Sequence, residues 1–65
     1  MWWEVIEMKW LEEKRGKKSQ EQVAKEAGIT QQHYSLIEHG DRKPSVPVAK
    51  KIAAVLGFDW TRFYE

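Results

Sequence analysis

The chain has 65 residues, 42% of them hydrophobic and 32% charged, which supplies one small core and therefore one domain spanning residues 1–65. It holds no cysteine, which excludes disulfides and thiolate metal sites and fits a cytoplasmic protein in a reducing compartment. The net charge of +1 is unevenly spread, with −3 on residues 1–13, +5 on residues 14–51 and −1 on residues 52–65, so the middle of the chain is its basic part.

A core of this size leaves a margin of about 3 to 5 kcal/mol, so a tightly packed helical fold or an oligomer is expected. Hydrophobic spacing predicts an all-α chain of five helices, with no alternating strand pattern of useful length. The first helix is expected from Trp2 to Arg15, with Val5, Met8 and Leu11 on one stripe and Trp3, Ile6 and Trp10 on an adjoining one. Its start has no continuous apolar run and carries Glu4, Glu7, Glu12 and Glu13. It reads as neither a signal peptide nor a membrane span, nor as a helix lying on a membrane surface.

Gly16, Lys17 and Lys18 end this helix, and Ser19 opens a capping box with Gln22. Helix two is expected over Gln20 to Ala27, burying Val23, Ala24 and Ala27, with a left-handed Gly28 to close it. Thr30 then caps helix three, Gln31 to about Glu38, where Ile29 can staple onto Tyr34. Gly40 closes it. After the polar turn Asp41-Arg42-Lys43-Pro44, Ser45 caps a fourth helix that tolerates Pro47, because an N–H there would have no intrahelical partner. Val48, Ala49, Ile52, Ala53, Val55 and Leu56 face inward along it. Gly57 ends that helix, and Asp59 caps a short fifth one, Trp60 to Tyr64, which offers Trp60 and Phe63 to the core.

Helices two and three form a close pair, with small Ala24 under the turn, Gly28 at the bend, and Tyr34 and Ile37 turned inward. At about 100° per residue, this leaves Gln31, Gln32, Ser35, Leu36 and His39 on the outer face. A face meant only for water usually carries Lys and Glu. This one carries carboxamides, a hydroxyl, an imidazole and a leucine. A Gln amide matches the N6/N7 edge of adenine, and an apolar side chain meets a thymine methyl.

Residues Leu11 to Tyr64 resemble the Cro/CI-type helix-turn-helix DNA-binding domain of the xenobiotic-response-element family. The resemblance rests on SQEQVAKEAGITQQHYSLIEHG, the RKPS turn and VAKKIAAVLGFDW, with Gln20, Ala24, Gly28, Ile37, Glu38, Gly40, Pro44 and Ser45 in register. It implies a five-helix, lambda-repressor-like fold in which helix three is the recognition helix and helix two lies across the groove. By this resemblance Gln20 joins Gln31, Gln32, Ser35 and Leu36 as a base contact. Phosphate contacts are expected from Ser19, Thr30, His33, His39, Arg42, Lys43, Lys17 and Lys18, with Lys50 and Lys51 as further basic groups beside the recognition helix.

The chain departs from the family in the length of the turn between helices one and two. It also has Glu12 where relatives often carry an arginine that pairs with the acid at Glu38, which leaves Lys14 or Arg15 as the substitute. Leu36 stands where many relatives have a polar or basic residue, so an operator cannot be borrowed from them.

His33 and His39 are six apart and fall on different helix faces with no third ligand, so neither a metal nor a cofactor is expected. No acid pair, Gly-rich phosphate loop or activated nucleophile suggests an enzyme. The expected function is that of a transcriptional repressor binding double-stranded DNA as a homodimer. Its operator would be pseudo-palindromic, with half-sites one turn or ~34 Å apart. The dimer is expected to form through the C-terminal helix, with Phe58, Phe63 and Tyr64, or through the tryptophan-rich start. The alternative is a protein-interaction module, such as an antitoxin-like partner, whose groove would want more apolar area than one leucine offers. No membrane and no small-molecule substrate enter either reading.

Overall fold

Leu11, Val23, Ala24, Ala27, Tyr34, Ile37, Ala49, Ile52 and Phe63 meet in one buried cluster, to which every helix contributes at least one side chain. The structure is a computed structural model that describes residues 8–64. Its elements are α1 (Lys9–Arg15), α2 (Gln20–Ala27), α3 (Gln31–Glu38), α4 (Val46–Leu56) and a terminal 3-10 helix, Trp60–Tyr64. The described residues form no strand.

Two expectations about the helices need correction. The fifth element is a 3-10 helix and not an α-helix, so the α-helices among the described residues are four. Five residues make too few i→i+4 bonds to offset the entropy of nucleating an α-helix. Here the Asp59 carboxylate accepts from Thr61 N–H and Oγ1 at 2.9 and 2.7 Å, and Arg62 N–H reaches the Asp59 carbonyl at 3.0 Å.

Helix one, expected to run unbroken from Trp2 to Arg15, begins at Lys9. Met8 has φ −91° and ψ 74°, outside the helical region. Its N–H donates to the Glu38 carbonyl at 3.1 Å, so the end of α3 takes the donor that a continuous helix would have used. Trp2, Trp3, Val5 and Ile6 lie outside the described residues.

The caps follow the expected chemistry in part: each hydroxyl accepts as expected, but the Gln22 side chain makes no return bond to the Ser19 N–H, so the capping box is half formed. Ser19 Oγ accepts from Gln22 N–H at 3.0 Å, Thr30 Oγ1 from His33 N–H at 3.0 Å and Ser45 Oγ from Val48 N–H at 3.4 Å. Gly28 closes α2 at φ 77°, ψ 27°, the left-handed conformation that leads straight into α3. Ile29 packs beside the cluster that contains Tyr34.

In the packed molecule α2 contacts both α3 and α4, α1 contacts α3, and the terminal helix closes against α4. Trp10 meets Phe58, and Phe58 meets Phe63, edge to face, while Trp10 and Phe63 are tilted against each other, with ring centroids 5.2 to 5.5 Å apart. Of the three aromatic side chains expected on a C-terminal dimer surface, Phe58 and Phe63 turn inward and Tyr64 stays exposed. Phe63 is a core residue and Phe58 is half-buried against it, because Trp10 on α1 turns toward them. Among the described residues, the large apolar side chains left exposed are Val46 and Tyr64.

Candidate nucleic-acid interface

α3 buries Tyr34, Ile37 and Glu38, and this choice of inner face sets the outer one. Gln31 and Gln32, in its first turn, are exposed, as is His39 just past its end. Ser35 and Leu36 are half-buried, so of the expected base-reading residues the two glutamines project furthest. Thr30, Gln32, His33, Leu36 and Arg42 line one shallow groove along this side of α3, which gathers two base-contact and three phosphate-contact candidates.

The remaining phosphate candidates sit in different states. Lys17, Arg42 and Lys43 are exposed. Lys18 Nζ pairs with Glu26 Oε1 at 2.9 Å, an exposed and therefore weak ion pair that an incoming phosphate can displace. Ser19 and Thr30 each spend a hydroxyl lone pair on a helix cap, and the hydroxyl hydrogen stays available to donate. His39 Nδ1 lies 3.1 Å from the Ser35 carbonyl, which can only accept, so in this contact Nδ1 is the donor. Lys50 sits 5.2 Å from the centroid of the Trp60 ring and so is tied to the protein's own surface.

Behind α3 lies the group that sequence reasoning resolved least. Glu38 is only 7% exposed. Its Oε2 accepts from Arg15 Nε at 3.0 Å and from Tyr34 Oη at 2.9 Å, and its Oε1 accepts from Arg15 Nη2 at 3.1 Å and from Gln20 Nε2 at 2.7 Å. Arg15 also donates to the Lys18 carbonyl at 2.9 Å and so ties down the turn into α2.

Of the two substitutes expected for the missing arginine, Arg15 is the partner, while Lys14 is exposed. The signal was present in the register: Arg15 lies about 40° round the helix from buried Leu11, and its planar fork fits a carboxylate. Tyr34 and Gln20 as further donors were not foreseen. Tyr34 read as plain core, and Gln20 as a DNA contact alone.

Burial pushes the Glu38 carboxyl upward, but the donors from Arg15, Gln20 and Tyr34 outweigh it and hold the group below its usual range. Burial and then the Glu38 bond raise the Tyr34 phenol, and the Glu38 bond raises Arg15. Glu38 is therefore ionised, and Arg15 and Tyr34 are protonated, across the physiological range.

The profile of the helix-turn-helix family matches residues 11–63. The chain belongs to the Cro/CI-type helix-turn-helix family. Among curated proteins it is 56% identical over 59 residues to YqaF of Bacillus subtilis (strain 168), described as an uncharacterized HTH-type transcriptional regulator. That match covers 88% of this chain and 78% of YqaF. No solved structure matches the chain. The family places the chain among DNA-binding regulators of transcription.

Proposed function

We propose that this helix-turn-helix protein is a sequence-specific repressor that sets α3 in the major groove of duplex DNA and binds as a twofold dimer. The observation that carries the reading is the first turn of α3. Gln31 and Gln32 stand exposed there, beside a groove edged by Leu36, Thr30 and Arg42. Carboxamides are suited to the paired donor and acceptor of adenine, Leu36 to a thymine methyl, and Arg42 to a phosphate on the groove wall.

One such unit offers few base contacts, so a second copy on a half-site ~34 Å away supplies the rest. The contact between copies is assigned to the large apolar side chains left exposed among the described residues, Val46 and Tyr64. Tyr64 Oη donates to the Pro44 carbonyl at 2.6 Å, which brings the end of the chain to the start of α4. Occupying an operator is enough to block a promoter, and occupancy is what a groove-reading face delivers.

Selection from random duplexes tests this directly, with the affinity of the enriched site measured at two salt concentrations and transcription measured from a promoter carrying it. The expected result is a pseudo-palindrome, bound more weakly as salt rises and silenced when bound. An unenriched pool, or transcription that rises on binding, overturns the reading.

A further inference from the structure

The Gln20 amide faces a carboxylate, and this decides which way round it lies. An ionised carboxylate has only acceptors, so the Gln20 nitrogen must point at Glu38 Oε1, 2.7 Å away. The four donors from Arg15, Gln20 and Tyr34 also fill the roughly four acceptor sites that two carboxylate oxygens provide. With Glu38 only 7% exposed, water has little access to compete for those sites. Gln20 is thus held at the first position of α2 with its oxygen directed away from Glu38. Gln31 and Gln32 differ, for among the described residues neither makes a side-chain hydrogen bond, so their amides can turn either way.

We propose that Glu38 is a positioning residue for DNA readout: by holding Gln20 Nε2, it presents Gln20 Oε1 as a fixed acceptor for the exocyclic amino group of a base, adenine N6 or cytosine N4. This rests on the DNA-binding reading above and extends it. Gln20 is then a reader of fixed polarity, while Gln31 and Gln32 adapt to the edge they meet. Arg15 on α1, which grips both Glu38 oxygens, becomes part of the reading apparatus without touching DNA.

The test uses the full chain and its selected operator. Selection with Gln20→Ala identifies the base pair that Gln20 reads, where discrimination is expected to fall about tenfold. Duplexes carrying a base analogue at that pair then separate the two edges. Removing the exocyclic amino group should cost the wild type about tenfold, and replacing purine N7 by carbon should cost nothing. Glu38→Gln should lose discrimination at the same pair and keep it at pairs read through Gln32. Added to Gln20→Ala, it should cause no further loss there. Tyr34→Phe removes a donor from Oε2 and leaves the Gln20 bond, so its selected site should be unchanged.

The proposal fails if Gln20→Ala leaves every position intact, if N7 matters and the amino group does not, or if Glu38→Gln weakens all sequences equally. Should Glu38→Gln not fold, the analogue duplexes still decide with wild-type protein. A wild type that selects no site removes this proposal together with the DNA reading, whereas a wild type that selects normally while Gln20→Ala changes nothing removes this proposal alone.

Discussion

At the scale of single residues, the outer face of α3 divides its work by chemistry. Gln32 is exposed and can address a base edge, so Gln32→Ala is expected to cost ~1 to 3 kcal/mol at one base position and to relax specificity there. Arg42 edges the same groove, and in the proposed reading its guanidinium meets a phosphate whatever the sequence. Arg42→Ala should weaken all duplexes alike and lower the slope of log affinity against log salt by about one. Competition titrations with single-base operator variants at two salt concentrations separate these outcomes, and a Gln32→Ala protein with unaltered base preferences would remove that role.

The exposure of Gln32 was readable from spacing, because Tyr34 and Ile37 set which side of α3 is buried, whereas Arg42 lies beyond the helix and its role followed from the family resemblance. The half-burial of Ser35 and Leu36 was not readable. It depends on how the loop after α3 folds back, with Asp41 and Arg42 N–H both donating to the Leu36 carbonyl, at 2.9 and 3.2 Å.

Among elements, the helix boundaries rest on glycines in two different conformations. Gly28 is in the left-handed α region, which asparagine also visits. Gly16 has φ 59° and ψ −124°, a region nearly reserved to glycine. A Cβ at either position would meet nothing within 4 Å, so any penalty comes from the backbone alone. Gly28→Ala should destabilise by about 1 kcal/mol and Gly28→Asn by less, while Gly16→Asn should cost about 1 to 3 kcal/mol. Urea midpoints for the three variants check the order. Equal costs at the two sites would mean that the turn after α1 relaxes. Sequence reasoning placed both glycines at helix ends but could not tell them apart, since the turn after Gly16 is also held by the Arg15 side chain donating to the Lys18 carbonyl.

For the whole molecule, the Arg15–Glu38–Tyr34–Gln20 network joins α1, α2 and α3, and its titration should be visible in global stability. The Glu38 carboxyl is depressed in the folded state, so its contribution is present above the ordinary value of 4.5 and is lost as pH falls through the lower folded value. Glu26 beside Lys18 and Asp59 beside Thr61 shift in the same direction at exposed sites and add less to that limb. The Tyr34 phenol is raised, so its contribution is full below the ordinary 10.0 and is lost as pH rises from there toward the folded value. Thermal midpoints should therefore be level between the two limbs, and Tyr34→Phe should flatten the alkaline one. That variant should also cost about 1.5 to 3 kcal/mol near neutrality through the lost bond to a charged acceptor. An alkaline fall that persists in Tyr34→Phe would place its origin elsewhere.

Association belongs to the same scale. Val46 is exposed in the first turn of α4, where an aspartate suits the helix dipole, so Val46→Asp should leave the monomer as stable as before. If the copies meet there, it should raise the dimer dissociation constant by at least about tenfold, through lost apolar burial alone. Sedimentation equilibrium measures this, and an unchanged constant moves the interface to another surface.

Local chemistry was sufficient for the helix-turn-helix itself: Ser19, Thr30 and Ser45 as caps, Gly28 at the bend, and the inward spacing of Val23, Ala24, Tyr34 and Ile37 act over three or four residues of chain. What no short window could contain was decided by packing across the molecule. Which cation meets Glu38, which way the Gln20 amide lies and where α1 begins all depend on partners 18 or more residues away in sequence, among them the Gln20–Glu38 and Arg15–Glu38 bonds. A contact of that separation exists only after the helices have docked, because neither partner constrains the other in the unfolded chain.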